Sequence, residues 1–275
     1  KILSQGTSFR TKDLGDVTID DFEIMLNLPT QSLLFCSADA DGALVPGYTV
    51  RNSLLQGGIS PKNLGGGAAI VADRCNLRVY NNVIGIGTQA GLQDINAGAF
   101  NVGIALAGYD YACGKDATAE IYNNLIAGNV WAGLDMTALQ CPRWRIRASF
   151  NTIVGNGRVT SSVGGVDGPP RRPTPADVAI GQSLFANSLG NGTQFQNADQ
   201  VTWRDVVVSA SDSVSLPGIT KADFELDANL SLKSSSTMNS SCCIDKAMPG
   251  SSDKFPTFDR SGNVRPRGGG YDIGA

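Results

Sequence analysis

The chain spells one short phrase twice. RVYNNVIGIG (78–87) and EIYNNLIAGN (120–129) place a tyrosine, two asparagines and an apolar pair at matching points, forty-two residues apart. Looser copies, Asn followed by Asn, Ser or Thr and then apolar residues, begin at Asn52, Asn81, Asn123, Asn151 and Asn187, with gaps of 29, 42, 28 and 36 residues. A second word interleaves with the first: AAIVAD from Ala68, GIALAG from Gly103, GLDMTA from Gly133 and GVDG from Gly165. Each word is too short for a helix and alternates apolar with polar or small residues, so both read as strands. Short strands of two kinds that recur at irregular intervals, with loops absorbing the variation, describe a coil in which each turn lies on the last. The expected fold is all-β: a right-handed parallel β-helix, with the asparagines stacked at one corner of successive coils, where a buried amide can satisfy backbone groups.

Composition supports this reading. Charged residues make up 17% of the 275, and the 33 glycines favour turns and short strands over long helices. Lys+Arg number 22 and Asp+Glu 25, a net charge of −3, so general attraction to nucleic acid or an anionic membrane is not expected. No apolar run is long enough to span a bilayer. Lys1 reads as the start of a mature or trimmed product. With no histidine, the usual general base is missing and Ser-His-Asp or Cys-His catalysis is excluded in its ordinary form.

Six cysteines without C-x-x-C pairs point to disulfides and export rather than zinc. Cys113 and Cys141 each lie ten residues before a corner asparagine (Asn123, Asn151), and stacked corners would bring them within the Cα separation of a disulfide. Cys36 with Cys75 is the next expected pair, and Cys242 and Cys243 are left joined to each other or partly free. Residues 1–47 are expected to form an N-terminal coil or cap, 48–192 the coils, and 193–275 the last coils and a loop-rich tail on the same single domain. VTWRDVVVSA, from Val201, reads as a strand, and 155–175 as a long Gly- and Pro-rich loop in which Gly165 to Asp167 could pair as a strand.

The last 55 residues resemble the closing segment of secreted bacterial right-handed parallel β-helix proteins of the pectate-lyase-like superfamily, of the type labelled choice-of-anchor Q. The residues that carry the resemblance are Asp259, Gly262, Asn263, Arg265, Pro266 and the run Tyr271–Ala275, with a pattern-level match over 48–192. The resemblance implies fold and export to the extracellular space or cell surface. Enzymes on this fold that act on acidic polysaccharides carry carboxylates, Arg and Lys on the outer face of one sheet, commonly with Ca²⁺.

Three groups of residues are candidates for chemistry. Asp135 in GLDM and Asp167 in GVDG share a register with their side chains outward, so on adjacent coils they form a close carboxylate pair that suits a Ca²⁺ ion bridging to a uronate, or a retaining glycosidase. Arg143, Arg145 and Arg147 form a basic stripe that could grip a carboxylated sugar or act as the base in an elimination. Arg51, Tyr80, Tyr122 and Phe150 each precede a corner asparagine and are expected to form one outward column, a sugar-binding platform or a cross-strand ladder. Asp39 and Asp41 look like half of a calcium loop, but no Glu stands at its twelfth position, so a turn is the better reading.

Two functions remain open on these grounds. One is a non-catalytic extracellular surface, scaffold or carbohydrate-binding module, whose partners are polysaccharide, cell-surface glycan or other subunits. The alternative is a polysaccharide lyase or glycoside hydrolase working through Asp135, Asp167 and the arginine stripe. They differ spatially, because an enzyme needs those carboxylates and arginines to converge in one groove.

Overall fold

A computed structural model describes residues 2–4, 9–12, 15–26, 32–37, 47–57, 67–94, 100–108, 116–139, 144–157, 166–169, 177–181, 183–186, 195–211, 214–247, 257–260, 262–265 and 271–274. Among these the chain winds repeatedly through three sheets. Strands β1 (Ile2–Ser4) and β2 (Phe9–Lys12) lead in, and then each coil crosses the sheets in the same order, C, A and B. The triplets are β3 (Val17–Asp20), β4 (Glu23–Leu26) and β5 (Leu34–Ser37); β6 (Gly47–Arg51), β7 (Leu54–Gly57) and β8 (Ala68–Asp73); β9 (Asn76–Tyr80), β10 (Val83–Gly85) and β11 (Val102–Gly108). They continue as β12 (Ala117–Tyr122), β13 (Leu125–Ala127) and β14 (Ala132–Leu139); β15 (Trp144–Ser149), β16 (Thr152–Val154) and β17 (Val166–Asp167); β18 (Asp177–Gly181), β19 (Leu184–Ala186) and β20 (Phe195–Gln196). Strands β21 (Val201–Arg204), β22 (Val206–Ser209) and β23 (Ile219–Ala222) finish the stack. Every pairing between these strands is parallel, which makes the molecule a right-handed parallel β-helix.

One side chain of each alternating pair points inward. Leu77, Val79, Ala119, Ile121, Ile146 and Ala148 from sheet C meet Ile84, Ile126 and Ile153 from sheet A and Ile70, Ile104 and Leu134 from sheet B, all buried. The interior is narrow, so aliphatic residues fill it along most of its length. Towards the C-terminal coils Phe185, Phe195 and Trp203 take over, with ring centroids 4.6–6.3 Å apart, and the Trp203 indole N–H donates to the Ala198 carbonyl at 3.0 Å.

The repeated phrase marks the corner between sheets C and A, where it builds two columns rather than one. The outer column holds Asp21, Asn52, Asn81, Asn123, Phe150 and Asp205, each with φ between 49° and 59°. Asparagine and aspartate tolerate this left-handed conformation best among non-glycine residues. Asn81 Nδ2 donates to Asn52 Oδ1 at 3.2 Å, and Asn123 Nδ2 to Asn81 Oδ1 at 2.6 Å. The inner column is Ser53, Asn82, Asn124, Asn151 and Ser183, all buried. Asn124 Nδ2 donates to the carbonyls of Val79 and Tyr122 and to Asn151 Oδ1, while Asn124 Oδ1 accepts from the Asn82 backbone N–H and side chain, both at 3.0 Å.

Asn151 therefore stacks on Asn124 and not on Asn123, one position away from the expected alignment; Thr152 pairs with Leu125, which fixes this register. Ser183 holds the corner assigned to Asn187, because Leu184–Ala186 pairs with Thr152–Val154. A second buried pair, Asn129 on Asn156, closes the opposite corner, from sheet A to sheet B, after Gly128 (φ +70°) and Gly155 (φ +62°). VTWRDVVVSA is two strands, on sheets C and A, broken at left-handed Asp205.

Cys36 and Cys75 are joined, bridging Cα atoms 6.3 Å apart, and Cys242 is joined to Cys243. Cys113 and Cys141 lie outside the described residues, as do Asp39, Asp41 and Arg143.

The tail is an outer layer. Leu125, Ala127 and Val154 on the outer face of sheet A are buried beneath Leu230, with Phe224, Leu226 and Leu92 packed around them. Further along, Phe150 and Val207 pack with Cys243, Ala247 and Ile273. Helix α1 (Gln89–Gln93), capped at Thr88, ties in through Gln89 N–H to the Ala228 carbonyl at 2.9 Å. Buried Asn239, in helix α2 (Thr237–Cys242), donates to the Glu225 and Lys233 carbonyls and accepts from Glu225 N–H.

Asn124→Ala removes the acceptor for Asn82 and the donor for two buried carbonyls, each worth roughly 1–3 kcal/mol when left without a partner. We expect it to destabilise the protein by about 3–5 kcal/mol in chemical denaturation. Asn81→Gly keeps the left-handed turn at little cost, so a change under about 1 kcal/mol is expected there.

Candidate functional site

The outer face of sheet C carries polar and charged side chains that register aligns. Alternate residues of each strand point outward and stack on the same position of the next coil. One column reads Asp20, Arg51, Tyr80, Tyr122, Ser149, Gly181 and Arg204; a second reads Thr18, Thr49, Arg78, Glu120, Arg147, Ala179 and Thr202; a third includes Asn76, Arg145 and Asp177.

The first column begins as a relay. Asp20 pairs with Arg51 at 2.6 Å, and Arg51 Nη1 donates to the Tyr80 hydroxyl at 2.9 Å. The Arg51 and Asn52 hydrogen bonds hold the Asp20 carboxyl below its ordinary range, and the same Tyr80 and Asp20 contacts raise Arg51. Tyr80 and Tyr122 then stack with centroids 4.9 Å apart and planes 2° from parallel. Burial, with the neighbouring Tyr80 and Glu120, pushes the Tyr122 phenol up to about 12, so it stays a neutral donor at any physiological pH. The two rings turn their faces to each other, the geometry of a cross-strand ladder.

Phe150 is not in this column. Ser149 pairs with Tyr122, and Phe150 falls on the corner itself, fully buried, with its ring 5.8 Å from that of Tyr271 and the Arg265 guanidinium 5.8 Å away on its face. The one-residue shift of Asn151 accounts for its displacement.

The second and third columns alternate in charge. Arg78 Nε meets Glu120 at 3.1 Å, and Arg147 grips Asp177 through both terminal nitrogens, at 3.1 and 2.7 Å. The Arg147 hydrogen bonds hold the Asp177 carboxyl low. Arg145 reaches Asp177 only at 3.7 Å and is 71% exposed. Of the arginine stripe, Arg147 thus has a fixed structural partner, whereas Arg145 projects into solvent.

Asp135 and Asp167 occupy sheet B. Their expected register is met: Leu134 pairs with Val166 and Asp135 with Asp167, placing the two residues about 4.8 Å apart along the stack. Each carboxylate has a local partner. Asp135 Oδ1 accepts from Thr137 N–H at 2.9 Å and Thr137 Oγ1 at 2.7 Å, and Asp167 Oδ1 accepts from Asn197 at 3.1 Å. Burial raises the Asp167 carboxyl, the Asn197 hydrogen bond opposes this, and the Asp135 charge adds to the rise. Two carboxylates fall short of the six to eight oxygens Ca²⁺ takes, and among the described residues no three Asp, Glu, Cys or His side chains gather to hold a metal. Asp135 and Asp167 belong to one sheet, Arg145 and Arg147 to another, so the fold does not bring these candidates together on one face.

Of the residues that suggested a family, Asp259 accepts from Asn263 N–H and Nδ2, both at 2.8 Å, and Arg265 donates to the Gly274 carbonyl at 3.0 Å. Burial lowers the Arg265 guanidinium. Ile273 is buried, and its N–H donates to the Cys243 carbonyl. These residues close a hairpin and pin it to the stack. Among the described residues no helix is long and apolar enough to cross a membrane. Comparison with protein-family models, curated proteins and solved structures returns no match.

A carboxyl raised by burial makes the folded state less stable when ionised; that cost fades as pH falls through the raised value and is gone below the ordinary carboxylate range. Asp167→Asn should therefore raise the melting temperature at pH 7 and match the parent protein near pH 3. A lower melting temperature at pH 7 would mean that the Asn197 hydrogen bond to the carboxylate outweighs the cost of burying it.

Proposed function

We propose that the protein is an extracellular glycan-binding β-helix that recognises its ligand on the outer face of sheet C without chemically altering it. The observation that carries this reading is the set of aligned outward columns on that face. They offer hydroxyl, amide, carboxylate and guanidinium groups at the regular strand spacing, with Arg145 and Arg78 (62% exposed) ion-paired on one side and open to solvent on the other. Guanidinium and carboxylate groups held in fixed pairs suit the vicinal hydroxyls and acidic groups of a sugar chain. The separation of the acidic pair from the arginines favours binding over polysaccharide cleavage. Export is supported by two disulfides and by the resemblance of the tail to secreted β-helix proteins of the pectate-lyase-like, choice-of-anchor Q type.

A second reading, a lyase or glycoside hydrolase acting on an acidic polysaccharide, draws on the direct register of Asp135 with Asp167 and on the raised carboxyl of the latter. Both readings meet one experiment. Immobilised acidic and neutral polysaccharides are screened for binding with and without Ca²⁺, while ultraviolet absorbance and reducing ends are followed in solution. Retention without product is expected, and Tyr122→Ala combined with Arg145→Ala should weaken it by about tenfold or more. Product that disappears in Asp135→Ala would replace the first reading with the second.

A further inference from the structure

The tail covers only part of sheet A. From β13 onward its outer face lies beneath Leu230, Phe224 and Leu226, and Val83 of β10 packs at their edge; over β4, β7 and β10 the described residues line a groove of 650 Å³. Met25, Leu54 and Val83 form an aliphatic floor, the turn at Thr88 makes one wall, and Asn229 and Arg260 of the tail make the other.

Arg260 is out of balance with its surroundings. Its Nη2 donates to the Asn229 carbonyl at 2.9 Å and to the Ser231 hydroxyl at 2.8 Å, both neutral, while its Nε is buried without a partner. The nearby carboxylates are committed elsewhere: Asp259 caps the hairpin through Asn263, and Asp227 accepts from the Asn229 and Ser231 amides. Among the described residues Arg260 makes no ion pair. Burial lowers the proton affinity of this guanidinium, and the charges of Asp227 and Asp259, neither in direct contact with it, offset that only in part. The unpartnered Nε and the groove beside it leave room for a further anion, which the groove's occupant would supply.

We propose that this groove is a binding site for a small organic carboxylate, whose acid group meets Arg260 and whose body lies on Met25, Leu54 and Val83. A planar guanidinium fork matches a carboxylate, and the aliphatic floor suits either an alkyl chain or the apolar face of a sugar ring. The site is separate from the sheet C face and does not depend on the glycan-binding reading.

The test is isothermal titration calorimetry with hexanoate, glucuronate, glucose and inorganic phosphate. At least one of the two carboxylates should bind; which one does distinguishes an alkyl from a saccharide body. Glucose and phosphate should bind at least about tenfold more weakly. Arg260→Gln should abolish binding. Because Arg260 also anchors the tail, Val83→Trp serves as a second variant: it fills the floor, leaves Arg260 in place and should also abolish binding, with an unchanged circular dichroism spectrum. The proposal is overturned if neither carboxylate binds, if phosphate binds as well as both, or if folded Val83→Trp binds like the parent protein.

Discussion

The corner amides are the constraint on which the rest of the structure depends. Where the chain turns from sheet C to sheet A it leaves ladder pairing for a few residues, and in a solenoid those residues are sealed by the coils above and below. A buried backbone group there needs a partner that no strand supplies. Asn124 meets this with one side chain: its Oδ1 accepts the turn amide of the preceding coil while its Nδ2 answers two carbonyls at the strand ends. Repeated at Asn82 and Asn151, the arrangement fixes the coils' registration along the axis, and every outward column inherits that registration. The alternating charges of sheet C are aligned because the corner is.

The second constraint concerns apolar surface. The outward positions of sheet A between β10 and β16 are Val83, Gly85, Leu125, Ala127, Thr152 and Val154, so the outer face of this sheet is also largely apolar and has to be covered. The tail does this, and the residues that look like a family signature are the means. Asp259 shapes the hairpin, Arg265 and Tyr271 close over Phe150, and Ile273 inserts beside Cys243. A motif of charged residues and glycine at the end of a chain invites a functional reading, yet its role here is structural. It presents few apolar side chains and sets their positions with part-buried polar contacts.

The fold was legible because repetition survives loop variation: the two copies of the Asn-Asn phrase and the Gly/Ala word supply both strand types and their order. The Asp135–Asp167 register was legible for the same reason. The register at Asn151 was not, since the word alone aligns its single asparagine with the first of each Asn-Asn pair. The better alignment, NLIAGN (124–129) with NTIVGN (151–156), needs the following Gly-Asn, whose role at the second corner becomes clear only when Asn129 meets Asn156. Phe150 was misplaced by that single step. The cover over sheet A was obscured by spacing of another kind, because Phe224, Leu230 and Ile273 contact strands far from them in sequence and follow no period.

Phe150 also shows how the two constraints meet. In the outer corner column the asparagines run from exposed Asn52 to fully buried Asn123, and at the next coil the series stops. A phenylalanine in the left-handed region is strained by roughly 1–2 kcal/mol and has no amide to donate upward. The buried Asn123 Oδ1 is accordingly left without a partner, while its Nδ2 turns to the Phe258 carbonyl of the tail. Burying a phenylalanine ring contributes about 1.5–3 kcal/mol, which is enough to offset the strain. The exchange makes sense only if the ring has something to pack against, and that partner is the tail cluster of Tyr271, Cys243 and Ile273. The ladder therefore ends where the cover begins: one residue gives up the coil-to-coil hydrogen bond and provides the apolar contact that holds the outer layer on the stack.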